Sequence, residues 1–283
     1  MNYRLCAFAD EADPMLPGQI QAMKRNGVDL LEIRGVDGQN ISELSSEKIR
    51  QVNDLLSDNG LGVWSIGSPT GKVRLADDFD AHVESFKRML EHAQVLGAKA
   101  FRLFSFYDAQ EEKEEVIERL GRLCELAKGS GVRLCHENEK GIYGDTPERM
   151  RILLDALPEL GGIFDPANFI QCGVEILPGW ELLKDRVCYL HVKDALKNGT
   201  VVPAGHGDGH LKTVVADFLA RGGEVLTVEP HLMVFSGLQG LEKEGERSVV
   251  GSDRFCYRSN NEAFDAAVGA LKDILNHIGA KAR

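Results

Sequence analysis

RLCHENE, residues 133–139, sets the problem. Arg133, Leu134 and Cys135 read as the start of a buried strand. His136, Glu137, Asn138 and Glu139 then follow, four polar side chains in a row. Charge is costly to bury unless it is paired or bound to a metal. Seven other short apolar segments accompany this one (VRLCHEN in full, 132–138), and several also end in polar groups. They are RLCAFA (4–9), LLEIRG (30–35), GVWSIGS (62–68), AFRLFSF (100–106), GGIFDP (161–166), VCYLHVK (187–193) and EVLTVEP (224–230).

Helical patterns lie between these strands. Phe79, Val83, Phe86, Leu90 and Ala93 recur at steps of three and four, so one face is apolar. Val116, Leu120, Leu123 and Ala127 repeat the pattern, as do Phe264, Ala267, Leu271, Ile274 and Ile278. Thr146-Pro147-Glu148 has the form of an N-cap followed by proline at the first helical position, and Gly27, Gly60, Gly97 and Gly279 stand where helices should stop. The weakest pattern follows GGIFDP, where only GWELLKD remains. Alternating βα units favour a parallel sheet, and eight of them close a (β/α)8 barrel. A doubly wound sheet is the competitor. The first turn, ADEADPMLPGQ, lacks the glycine pattern that often marks one, so a single barrel over residues 1–283 is expected.

The chain has 283 residues, 43% of them apolar, enough for a packed core. Its net charge of −11 repels phosphate backbones and anionic bilayers, which argues against nucleic-acid or membrane partners. No apolar run is long enough to span a bilayer. The N-terminus has no signal-peptide form. The six cysteines include no C-x-x-C pair and read as reduced thiols. A cytoplasmic location is expected.

In such a barrel the C-terminal strand ends surround the active site. Glu137, Asp165, His191 and Glu229 stand at or near the ends of strands five to eight. Taken singly, each is readily a surface or capping group. Four in register on consecutive strands instead suggest a shared metal site. Three carboxylates and one imidazole suit Mn²⁺, Mg²⁺ or Co²⁺ better than structural Zn²⁺.

These motifs resemble the xylose-isomerase-like barrel superfamily, within it the sugar isomerase/epimerase group of ketose 3-epimerases, hydroxypyruvate isomerase and inosose dehydratase. LLEIRG, HENE, DPAN, HVKD and VEPH carry the resemblance, with the glycine-rich turn PAGHGDG (203–209). It implies that Glu137, Asp165, His191 and Glu229 hold one divalent ion, with Mn²⁺ favoured and Mg²⁺, Co²⁺ or Zn²⁺ as alternatives. It also implies that Glu137 and Glu229 exchange protons with a small sugar substrate from opposite sides, and by analogy that the chain forms a homo-oligomer. The expected reaction is isomerisation or epimerisation through an enediolate, the alternative being dehydration or lyase chemistry at the same metal. The sequence departs from many ketose epimerases at Asn168, where they have His, and at His206, where an acid is common. A distant member, endonuclease IV, needs more histidines and a basic groove.

Further residues are expected near the substrate. Asn168 is placed to bond a hydroxyl and Lys193 to hold an oxygen near the metal. His231 and His206 are candidates for substrate contact, and Arg102 for a carboxylate or phosphate. Glu32 either pairs with Arg34 or orients a metal ligand. Each has a plainer reading as a strand-end hydrogen bond. His136 alternates away from Glu137 and is expected to pack against the barrel wall. GSPTGK (67–72) is one residue short of a Walker motif and lacks the Ser/Thr after Lys72. It reads as a loop lining the pocket. Residues 232–260 form a long glycine-containing connection, expected to be a lid.

Overall fold

The computed structural model describes residues 1–235, 238 and 254–283. Its eight main strands are β1 (Asn2–Ala7), β2 (Leu30–Ile33), β3 (Gly62–Ile66), β4 (Ala100–Leu103), β5 (Arg133–Glu137), β6 (Gly161–Phe164), β7 (Val187–Val192) and β8 (Val225–Val228). All neighbours are parallel, and β8 pairs back onto β1 from Arg4 opposite Val225 to Ala7 opposite Val228. The sheet is therefore a closed barrel, as expected. Most of the expected lid, residues 236, 237 and 239–253, lies outside the described residues.

The helices between strands are α1 (Leu16–Arg25), α2 (Ser46–Asp58), α3 (Phe79–Val95), α4 (Lys113–Ala127), α5 (Pro147–Ala156), α6 (Pro166–Gln171), α7 (Ile176–Leu183), α8 (Leu211–Ala220) and α9 (Asn260–His277). The faces read from the sequence are the buried ones: Val83, Phe86, Leu90 and Ala93 in α3, and Val116, Leu120, Leu123 and Ala127 in α4. Thr146 caps α5, its side chain accepting from the Arg149 N–H, with Pro147 in the first turn. The weak pattern after β6 resolves into two short helices. The first begins directly on Asp165, whose Oδ1 accepts from the Asn168 N–H at 3.0 Å.

Alternation along each strand separates two layers of core. Leu5, Leu31, Phe101, Leu134, Phe164, Leu190 and Leu226 belong to the large apolar cluster that includes the buried helix faces. A smaller cluster of Cys6, Leu30, Ala100, Cys135, Ile163, Tyr189 and Val225 fills the barrel interior. Two residues beyond members of this inner layer come Glu32, Arg102, Glu137, Asp165 and His191, all buried. The period of two that seats an apolar plug thus lifts the polar groups above it.

Replacing Thr146 by Ala removes the α5 cap. The expected cost is about 1 kcal/mol, read as a lower urea midpoint with an unchanged slope.

Candidate active site

The donor atoms of Glu137, Asp165, His191 and Glu229 all lie within 4.8 Å of one another, and all four residues are buried. His191 Nδ1 is 2.9 Å from Glu137 Oε1 and 3.6 Å from Glu229 Oε2. Its other nitrogen, Nε2, is 3.0 Å from Glu32 Oε2. Glu32 Oε1 accepts from the Tyr189 hydroxyl at 3.0 Å, and that hydroxyl lies 3.1 Å from Ser65 Oγ. Glu32 thus turns Nδ1 toward the three carboxylates. Glu32 is partnered by His191 and Tyr189 and not by Arg34.

Protein cations surround this anionic centre. Lys193 Nζ lies 2.9 Å from both Asp165 Oδ2 and Glu229 Oε2. Arg102 donates to Glu137 Oε2 and to the Gly67 carbonyl, both at 3.1 Å. Arg34 forks onto Asp10 at 2.9 and 3.0 Å and reaches Glu11 at 3.1 Å and Glu229 at 3.3 Å. The Phe8 ring lies beneath both guanidiniums, 4.4 Å from that of Arg34 and 5.0 Å from that of Arg102.

The resulting proton affinities diverge. Burial would raise Glu137, but the charges of His191 and Arg102 outweigh it and hold the carboxyl at about 2. Burial likewise opposes ionisation of Glu229, yet Lys193 and His231 draw it well below the usual range. Asp165 behaves differently. Burial pushes it up to about 7, and the nearby Glu229 and Glu137 oppose the help from Lys193. Its Oδ2 accepts no well-directed hydrogen bond despite the nearby ammonium. A buried acceptor left over beside two ionised carboxylates and a directed imidazole nitrogen fits a divalent cation. Bonds of about 2.1 Å put opposite donors about 4.2 Å apart, so slight side-chain shifts would close the set.

A family model described as the xylose isomerase-like TIM barrel matches residues 20–244. The chain belongs to that family. No curated protein matches it in sequence. Among solved structures it is similar to the IOLI protein with a bound zinc atom, at 17% identity and a TM-score of 0.74 over 97% of this chain and 99% of that one. A D-tagatose 3-epimerase-like protein shares 16% identity at a TM-score of 0.74, over 98% of each chain. AsbF of Bacillus anthracis, described as a "probable 3-DHS dehydratase", shares 16% at 0.71, over 96% of this chain and 99% of that one. At these identities the likeness establishes the shared barrel.

Within this xylose isomerase-like barrel, the remaining expected residues divide. Asn168 directs Nδ2 to Glu137 Oε1 at 3.3 Å and to the Asn138 carbonyl at 2.9 Å, so it steadies a glutamate. His231 Nδ1 stands 3.1 Å from Glu11 Oε1 and 3.7 Å from Glu229 Oε1. His206 is not brought into the cluster: it is exposed, its ring 5.1 Å from that of Phe255. His136 packs outside the interior, bonded to Ser105 Oγ at 2.9 Å. Lys72, in the false Walker loop, pairs with Glu139 at 3.1 Å.

Sequence reading missed Asp10 and Glu11, which follow β1 in ADEAD and supply the counter-charge for Arg34. The available signal was an acidic pair at a strand end. It also missed Asp194 of HVKD. This carboxylate accepts backbone N–H groups from Gly205, Gly207 and Gly209 at 2.8–3.0 Å, so the glycine-rich turn is wound around it. A Cβ on Gly207 would come within 2.4 Å of Asp194 Oδ1. Glu11, Glu229 and His231 also converge, and Arg34 donates to both of these acids.

Arg34→Met would leave Asp10, Glu11 and Glu229 without their shared counter-charge. Breaking such a buried pair costs about 3–5 kcal/mol, measurable by urea unfolding. Arg34→Lys, which keeps the charge and loses the fork, is expected to lose less.

Proposed function

We propose that this protein is a divalent-metal-dependent isomerase or epimerase of a sugar or keto-sugar. One observation carries the reading: Glu137 and Glu229 approach the same imidazole nitrogen, each steadied on its far oxygen by a different arginine. Glu137, Asp165, His191 and Glu229 would hold the ion, which as a Lewis acid would polarise the substrate carbonyl and its neighbouring hydroxyl. The oxygen-rich donor set favours Mn²⁺, with Mg²⁺, Co²⁺ or Zn²⁺ as alternatives.

The chain supplies the proton transfer. A carbon-bound proton beside a carbonyl is weakly acidic, and a positioned carboxylate base contributes about 10²–10⁴-fold. Glu137, held ionised near neutral pH, and Glu229 are the two candidates. One takes the proton to leave an enediolate. Return by the other glutamate to the opposite face gives epimerisation, and return to the adjacent carbon gives isomerisation. Arg102 and Asn168 aim Glu137, while Arg34 and Lys193 aim Glu229. Glu32 fixes the imidazole from behind.

Dehydration of a keto-sugar or inosose is the second reading. It is favoured by Lys193 and His231 beside Glu229, which offer a proton to a departing hydroxyl. Incubation with free ketoses in D₂O separates the two. Deuterium on a carbon of an isomeric sugar supports the first, and loss of water from the sugar supports the second. Retention of every carbon-bound proton across metals and ketoses overturns both.

Glu137→Gln and Glu229→Gln should each lower kcat at least about 10²-fold while circular dichroism stays native. Glu32→Gln should weaken metal binding about 10–100-fold by freeing the imidazole, read by calorimetric titration of Mn²⁺ into metal-free protein.

A further inference from the structure

The opposite end of the barrel holds a second group of reactive side chains. Cys135 on β5 and Cys188 on β7 both line a cavity of about 280 Å³, together with Trp64, Arg133 and Arg186. β6 runs between their strands, and Gly161 sits opposite Cys135 in the register. A Cβ on Gly161 would lie 2.3 Å from Cys188 Sγ, 3.1 Å from Cys135 Sγ and 3.1 Å from Arg133 Nε. Both sulfurs and a guanidinium therefore crowd the space that only glycine leaves open. Cys135 is fully buried, whereas Cys188 is partly open to solvent.

We propose that Cys188 is a covalent-modification site for small soft electrophiles and peroxides, assisted by Cys135 and Arg133. The nearby Cys135 sulfur, with the charges of Arg133 and Arg186, brings the Cys188 thiol down to about 7 against its burial, while the Cys135 thiol itself donates to the Arg133 carbonyl at 3.8 Å. Burial instead pushes Cys124 and Cys172 up to about 12. Thiolate is the nucleophile, so Cys188 attacks where those two do not. With peroxide, the Cys188 sulfur bonds to one oxygen as the O–O bond breaks. Sulfur is oxidised to the sulfenic acid, peroxide is reduced and hydroxide departs. Cys135 is badly placed to resolve this product as a disulfide. Two strand spacings separate the chains by roughly 9 Å, beyond the Cα reach of about 7 Å for an S–S bond. The sulfenic acid is therefore open to trapping.

The test labels the native protein with limiting iodoacetamide near neutral pH and follows each cysteine by peptide mass spectrometry. Cys188 should react at least about tenfold faster than Cys172, in line with its larger thiolate fraction. Equal rates overturn the proposal. Cys135→Ala and, separately, Arg133→Gln on the exposed rim should each slow Cys188 severalfold while the exposed Cys256 keeps its rate. An unchanged Cys188 rate in both variants overturns the assisted mechanism, and the second variant stands if the first fails to fold. After peroxide, a dimedone adduct on Cys188 supports the site. A dimedone adduct on Cys256 alone, or a Cys135–Cys188 disulfide, overturns it.

Discussion

The structure depends on neutralising carboxylates that the barrel interior removes from water. Glu32, Glu137, Asp165 and Glu229 are almost wholly buried at one end of a closed sheet, and Asp10 and Glu11 stand close by. An uncompensated charge there would cost more than a domain's net stability. The fold answers with cations shared between several acids. Arg34 serves three carboxylates and Lys193 serves two. Asp165 is held near 7, its Oδ2 beside the Lys193 ammonium but without a well-directed hydrogen bond. Glu137, Asp165, His191 and Glu229 are thereby left as a buried set that could hold a metal ion.

This arrangement links stability to chemistry. Arg102 and Arg34 offset buried charge, and by gripping one oxygen of Glu137 and of Glu229 they also fix where the other oxygen points. Glu32 compensates His191 and sets which ring nitrogen faces the cluster. A residue that neutralises a buried charge here also aims it, because in so dry a space each hydrogen bond has few competing partners. The Tyr189 hydroxyl extends the chain of contacts from Glu32 to Ser65, from the site down into the apolar layer.

Most of the architecture was legible in the chain. Eight apolar runs, their intervening helical faces and the Thr146 cap all appear near their expected places, because strand and helix periods are local properties. The region after β6 was harder to read. Pro166 and the capping role of Asp165 open a helix of only six residues, too short for periodicity to register. The convergence of Glu137, Asp165, His191 and Glu229 was legible because a period of two places every second side chain inside the barrel, and strand counting places their ends on one rim.

Partnerships were another matter. Glu32 and Arg34 are two residues apart and invited pairing, yet each finds partners from distant strands. Asn168 is taken up by Glu137 and Asn138, and His206 lies at the surface. Asp10 and Glu11 gained meaning only once β1 closed against β8 and brought Arg34, Glu229 and His231 beside them. By itself the sequence determined which side chains enter the barrel and at what height, since alternation along a strand needs only neighbouring residues. Tertiary structure alone decided which acid meets which cation, because ion pairs depend on distances across the barrel, and ring closure sets those distances.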